Sequence, residues 1–202
     1  MGDADVQFVR EKHHRRSIRL RGYDYTQPGA YFVTICTRGR ECLFGEIVDA
    51  KMHSNEVGRM VQSTWEEIPR HYAGAGIDGF VVMPNHFHGI IVLRDHPVVG
   101  ATPRGCPVSR QAQGPAPTML LSDVVKRFKS LTTARFRHAA TKSAWPGFCG
   151  RLWQRNYYEH IVRDDDEWNR IRRYIGDNPL MWELDRENPR GHTATISESW
   201  QV

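Results

Sequence analysis

Two hydrophobic rhythms alternate along the chain, and they predict strands and helices in turn. Across 30–37, Tyr31, Val33 and Ile35 interleave with Phe32, Thr34 and Cys36. So dense a run of aromatic and β-branched residues predicts a strand buried on both faces. A turn over Thr37, Arg38, Gly39 and Arg40 and a second strand over 42–48 would complete a hairpin. Over 55–72 the spacing becomes helical, with Val57, Met60, Val61, Trp65, Ile68 and Tyr72 on one face. Ser54 or Asn55 can cap this helix, Pro69 limits its last turn, and Gly74 and Gly76 break the chain after it.

The most legible hairpin follows, with strands over 79–83 and 86–93 around Pro84 and Asn85. A helix is expected over 122–139, facing inward through Val124, Val125, Phe128, Leu131 and Phe136. A strand is expected over 153–161 and a last helix over 165–178. Asp164, Asp165, Asp166 and Glu167 crowd the start of that helix, where negative charge complements the macrodipole, and Pro179 ends it. The order β-β-α-β-β-α-β-α predicts an α+β sandwich of ferredoxin-like or RRM-like type, an antiparallel sheet with helices packed on one face.

At 202 residues the chain suits one domain. Residues 1–28 read as a basic arm, 29–187 as the domain and 188–202 as a tail. The segment 96–117 holds Pro97, Pro103, Pro107, Pro115 and Pro117 and is expected to be a mobile loop. Apolar runs fall short of a membrane span and the start lacks a signal-peptide pattern, so the expected location is the cytoplasm. Cys36, Cys42, Cys106 and Cys149 form no C-x-x-C pair and read as reduced, structural thiols.

Charge adds a candidate partner. Lys and Arg outnumber Asp and Glu by 28 to 23, and the excess is uneven. Arg10, Lys12, Arg15, Arg16, Arg19 and Arg21 face a single acid, Glu11, and a second basic stretch holds Lys126, Arg127, Lys129, Arg135 and Arg137. Such clusters suit polyanions, because phosphate contacts release condensed counterions; the plain alternative is a solvated surface. Arg15, Arg16, Arg19, Arg21, Lys126, Arg127 and Lys129 are the candidates for nucleic-acid contact.

Candidate chemistry lies in Met83-Pro84-Asn85-His86-Phe87-His88-Gly89. Residues two apart on a strand share a face, so His86 and His88 project together while Phe87 anchors the strand from the other side. Two adjacent imidazoles can bind one divalent cation, and Gly89 is expected to leave room for a ligand beside them. A His-x-His pair also arises by chance. In the last helix Tyr174 and Asn178 stand four apart and share a face. An Asn carbonyl suits a hard cation such as Mg²⁺ or Mn²⁺. The other reading makes Tyr174 a core aromatic and Asn178 a helix cap.

His86-Phe87-His88 resembles the His-hydrophobe-His signature of HUH endonucleases. Together with Tyr174-x-x-x-Asn178 it resembles the REP-associated tyrosine transposases, relatives of the single-tyrosine insertion-sequence transposases. The flanking strings Val81 to His88, Leu152 to His160 and Arg172 to Pro179 are similar too, and the resemblance covers roughly residues 15–188. It implies a divalent metal, Mg²⁺ or Mn²⁺, on His86 and His88 with Asn178 as third protein ligand; the insertion-sequence branch carries Gln in that place. It implies Tyr174 as a nucleophile that forms a 5′-phosphotyrosine on single-stranded DNA beside a hairpin, in a monomer or a homodimer. Tyr157 and Tyr158, beside His160, read as sheet-packing aromatics, with Tyr158 the second choice of nucleophile. Three rivals remain: a non-catalytic RRM-like binding module, a replication-initiator or relaxase nickase, and a zinc hydrolase using His160.

Overall fold

The computed structural model describes residues 27–94, 120–142, 145 and 150–191. Arg15, Arg16, Arg19 and Arg21 of the expected arm, the expected loop 96–117, and residues 192–202 of the expected tail lie outside the described residues.

The sheet is built around β1 (Gly29–Cys36), which pairs antiparallel with both β5 (His86–Leu93) and β6 (Tyr158–Val162). β4 (Ala75–Val82) flanks β5, giving the order β4-β5-β1-β6. This antiparallel four-stranded sheet with packed helices is the expected α+β fold. The two interleaved series in β1 separate onto its two faces. Tyr31, Val33 and Ile35 join Phe87, Ile91 and Leu93 in the larger core. That core is closed by Val57, Val61 and Trp65 of α1 (Glu56–Glu66) and by Val124, Val125, Phe128 and Phe136 of α3 (Leu121–Lys142). Phe87 anchors β5 there, with ring centroids 4.5 Å from Trp65 and 5.3 Å from Phe128.

The opposite face is also covered. Ala30, Phe32 and Ile90 pack against Trp168, Ile171, Tyr174 and Ile175 of α4 (Asp165–Asp177). The expected one-face helix layer therefore consists of α1 and α3, and α4 forms a second layer. The even positions of β1 and β5 are apolar enough to need such a cover. Asp164 caps α4 by accepting from the Glu167 N–H at 2.7 Å. Asp78 on β4 holds α4 down, its carboxylate accepting from Trp168 Nε1 and from Arg172 Nη2 at 2.6 Å.

Other expectations need correction. The strand expected over 42–48 does not pair with β1; β2 (Gly45–Val48) pairs with an unforeseen β3 (Lys51–Ser54) in a separate hairpin. Asp49 and Ala50 join these strands with positive φ values of 49° and 58°, the backbone of a tight two-residue turn. Phe44, fully buried, pulls the preceding segment into the core, and its N–H donates to the Pro84 carbonyl. The helix expected over 55–72 breaks at Glu67 into α1 and the short α2 (Ile68–His71). The strand expected over 153–161 is shorter, because Trp153 makes only an isolated bridge to Thr37. Pro179 does not end the helical path but starts a 3-10 helix, Asn178–Leu184.

Gly89 leaves no ligand space. A Cβ there would lie 2.6 Å from Trp65 Cζ2 and 2.8 Å from Phe87 Cε1, in the core on the far side of the sheet from the histidines. Gly89→Ala is therefore expected to lower the unfolding free energy by about 1–3 kcal/mol, the usual cost of overpacking. Urea unfolding checks this, and an unchanged midpoint would mean that the indole moves aside without cost.

Candidate active site

The register of β1 against β5 sets Cys36 opposite His86 and Thr34 opposite His88. Both imidazoles project beneath α4, with ring centroids 4.6 Å apart, and both are buried. Asn85 defines the state of the first. Its Nδ2 donates to the carbonyls of Arg40, at 3.1 Å, and Glu187, at 2.6 Å. That leaves Oδ1 to accept from His86 Nδ1 at 2.9 Å, so the proton sits on Nδ1 and Nε2 presents a lone pair. His88 Nδ1 lies 2.8 Å from Thr34 Oγ1, and Phe32 stacks on its ring at 5.4 Å. Burial pushes His86 down to about 4, and burial together with His86 pushes His88 well below the ordinary range. Both are thus neutral at pH 7, the form that ligates a metal.

Tyr174 reaches this pair. Its hydroxyl lies 3.4 Å from His88 Nε2, and its ring packs edge-on to Phe32 at 5.9 Å. Burial, with the nearby Asp185 carboxylate, pushes the phenol up to about 12, so it is protonated at neutral pH. Asn178 caps the last helix and also stands next to the histidine pair. Its backbone N–H bonds to the Ile175 carbonyl as the cap of α4, and its side chain lies beside His86 and Tyr174. Its buried Oδ1 meets no donor at hydrogen-bonding geometry among the described residues, and neither does His86 Nε2. A buried polar atom without a partner is costly. Two such atoms facing one cluster are what a cation site requires before it is filled.

Asp185 was not foreseen. Its Oδ1 accepts from the Glu187 N–H at 2.7 Å, and its Oδ2 lies 3.5 Å from His86 Nε2. Burial raises its pKa. His86, His88 and Asp185 offer ligand atoms within 4.8 Å of one another and can hold a metal ion. No periodicity marks Asp185, because it arrives through the bend that follows the 3-10 helix.

The other candidates lie elsewhere. Tyr158 packs edge-on to Phe32 at 6.5 Å, and Tyr157 lies under the Lys129 ammonium at 5.3 Å. His160 binds Glu167 at 2.7 Å, tying β6 to the first turn of α4, and it does not join the described metal-ligand cluster. Lys126 and Arg127 are exposed on α3, in the layer across the sheet from the histidines. Lys129 is turned to a structural task. Its Nζ donates to the carbonyls of Gln154, Arg155 and Asn156, and burial lowers its pKa to about 8. Among the described residues no helix is long and apolar enough to cross a membrane.

Fold and site define a class: an antiparallel α+β sandwich with two buried histidines, a carboxylate and a tyrosine gathered under its last helix. The chain belongs to the same family as a Haemophilus influenzae protein described as uncharacterized, 41% identical over 177 residues that span 86% of this chain and 93% of that one. No family model matches. A solved REP-associated tyrosine transposase bound to a REP hairpin is similar in fold, with a TM-score of 0.50 and 20% identity over 78% of this chain and 70% of that one.

Proposed function

We propose that this protein is a metal-dependent nicking and joining enzyme for single-stranded DNA, of the REP-associated tyrosine transposase kind, with Tyr174 as nucleophile. The observation that carries this reading is the approach of the Tyr174 hydroxyl to 3.4 Å from His88 Nε2. The fold shared with a transposase bound to a REP hairpin supports hairpin DNA as substrate.

His86 and His88 through Nε2, Asp185 through Oδ2 and Asn178 through Oδ1 would hold a divalent cation, Mg²⁺ or Mn²⁺. Bound there, the cation supplies Lewis-acid polarisation of the scissile phosphate and offsets charge in the transition state. Asn85 and Thr34 keep both Nδ1 atoms engaged and hold the rings in place. Tyr174 Oη attacks phosphorus in line, the bond to O3′ breaks, and a 5′-phosphotyrosine forms as the phenol loses its proton and the leaving 3′-oxygen gains one. Attack by a second 3′-hydroxyl reverses these bond changes, joins the strands and returns the phenol. Tyr174 lies 3.4 Å from His88 of its own chain, which supports a monomer as the acting species.

An RRM-like binding module is disfavoured by α4. Such domains stack bases on aromatics of an open sheet face. Here that face lies under Trp168, Ile171 and Ile175.

The test uses a labelled hairpin with single-stranded tails, incubated with the protein and Mn²⁺ and run on a denaturing gel. A covalent protein–DNA band that EDTA abolishes is expected. Free DNA alone, with either Mg²⁺ or Mn²⁺, would overturn the reading.

A further inference from the structure

Three residues beside the site form an arrangement that the chemistry above leaves unused. Glu187 is buried, and each of its carboxylate oxygens meets a different guanidinium. Arg40 Nε lies 3.0 Å from Oε2, and Arg186 Nε lies 3.5 Å from Oε1. Arg40 Nη1 also donates to the Arg186 carbonyl at 3.3 Å. The backbone of Glu187 is pinned to the site itself, its N–H on Asp185 and its carbonyl on Asn85. Arg40 takes a left-handed backbone with φ of 57°, which a side chain adopts at a cost, and its carbonyl binds the same Asn85 amide. Buried Glu187 is thus a fixed post between two arginines whose side chains remain 49% and 67% exposed.

The charges explain why such a post would be built. A DNA strand that reaches Tyr174 must bring an anionic phosphodiester close to Asp185 and Glu187. Those two carboxylates alone would repel it. Arg40 and Arg186 cancel them, so the approach is no longer opposed and the cation's charge is left to attract the strand. A guanidinium also presents a planar fork of donors that suits phosphate oxygens.

We propose that Arg40 and Arg186, spaced by Glu187, form a phosphate-binding subsite for the single strand that enters the Tyr174 site. The subsite rests on the DNA-processing reading above. It differs from the α3 cations Lys126 and Arg127 in lying on the site's own face of the sheet.

The experiment is fluorescence anisotropy in EDTA, where no cleavage occurs, with two probes: a hairpin carrying a single-stranded tail and the same hairpin with blunt ends. Arg40→Gln/Arg186→Gln is compared with the native protein, and Arg186→Gln alone, at the more exposed position, is the second variant. The double variant is expected to bind the tailed probe about tenfold more weakly and to lower its salt slope by about 1.4, two single-strand contacts of about 0.7 each, with blunt-hairpin affinity unchanged. Arg186→Gln alone should show about half of that slope change. Arg186→Lys should restore the slope, because it restores the charge. Equal losses on both probes, or no loss on the tailed probe, would overturn the subsite while leaving the nuclease reading intact. A native protein that binds neither probe would overturn both.

Discussion

Tyr174→Phe is expected to form no covalent DNA adduct, while its affinity for a tailed hairpin stays within about twofold of the native protein, because only the nucleophilic oxygen is lost. Besides the nucleophile the substitution removes the hydroxyl's contacts with Asn178 and His88. The contact from the hydroxyl to His88 Nε2, at 3.4 Å, is long for a hydrogen bond. The ring's edge-on packing against Phe32 and His88 survives in phenylalanine. Burial already holds the phenol protonated, so no charge disappears from the site. A denaturing gel and an anisotropy titration read the two quantities separately. An adduct that persists in Tyr174→Phe would move the nucleophile elsewhere, with Tyr158 the first residue to test.

His86→Gln is expected to cut Mn²⁺-dependent cleavage by at least about a hundredfold and to weaken Mn²⁺ binding in calorimetry, since even outer-shell changes cost 10–100-fold. His86 is the most committed member of the cluster. It is fully buried, its Nδ1 is fixed by Asn85, and its Nε2 faces the Asp185 carboxylate at 3.5 Å with the Asn178 side chain nearby. Glutamine keeps a polar side chain of similar length, so loss of metal can be separated from loss of fold by far-UV circular dichroism. Full cleavage activity, or Mn²⁺ affinity equal to the native protein, would remove the metal from these imidazoles. Asp185→Asn and Asn178→Ala in the same titration apportion the remaining ligands. A larger loss from Asp185→Asn would make the carboxylate, and not the amide, the main third ligand.

The site was legible where local pattern speaks. The alternation around Phe87 put both imidazoles on one side of β5, and helical spacing put the side chain of Asn178, the cap of α4, beside Tyr174. The strand expected to complete a hairpin with β1 failed because a pattern of buried positions does not name its partner; β6, far off in sequence, took the place beside β1. The role given to Gly89 failed for a similar reason. A missing side chain makes room on its own face, and here that room belongs to the Trp65 indole. Lys129 reads as a surface cation until the three carbonyls around its ammonium are seen.

By itself the sequence determined where most of the main strands and helices lie, which side of β5 carries the histidines, and that Tyr174 and Asn178 stand one helical turn apart. Periodicity encodes these things, since each depends on neighbours a few residues away. Only the tertiary structure decided that α4 lies over the histidine face, that Asp185 turns back toward His86, and that Glu187 stands between Arg40 and Arg186. Those contacts join segments as much as about 150 residues apart, and they depend on how apolar faces are covered and how buried polar atoms find partners.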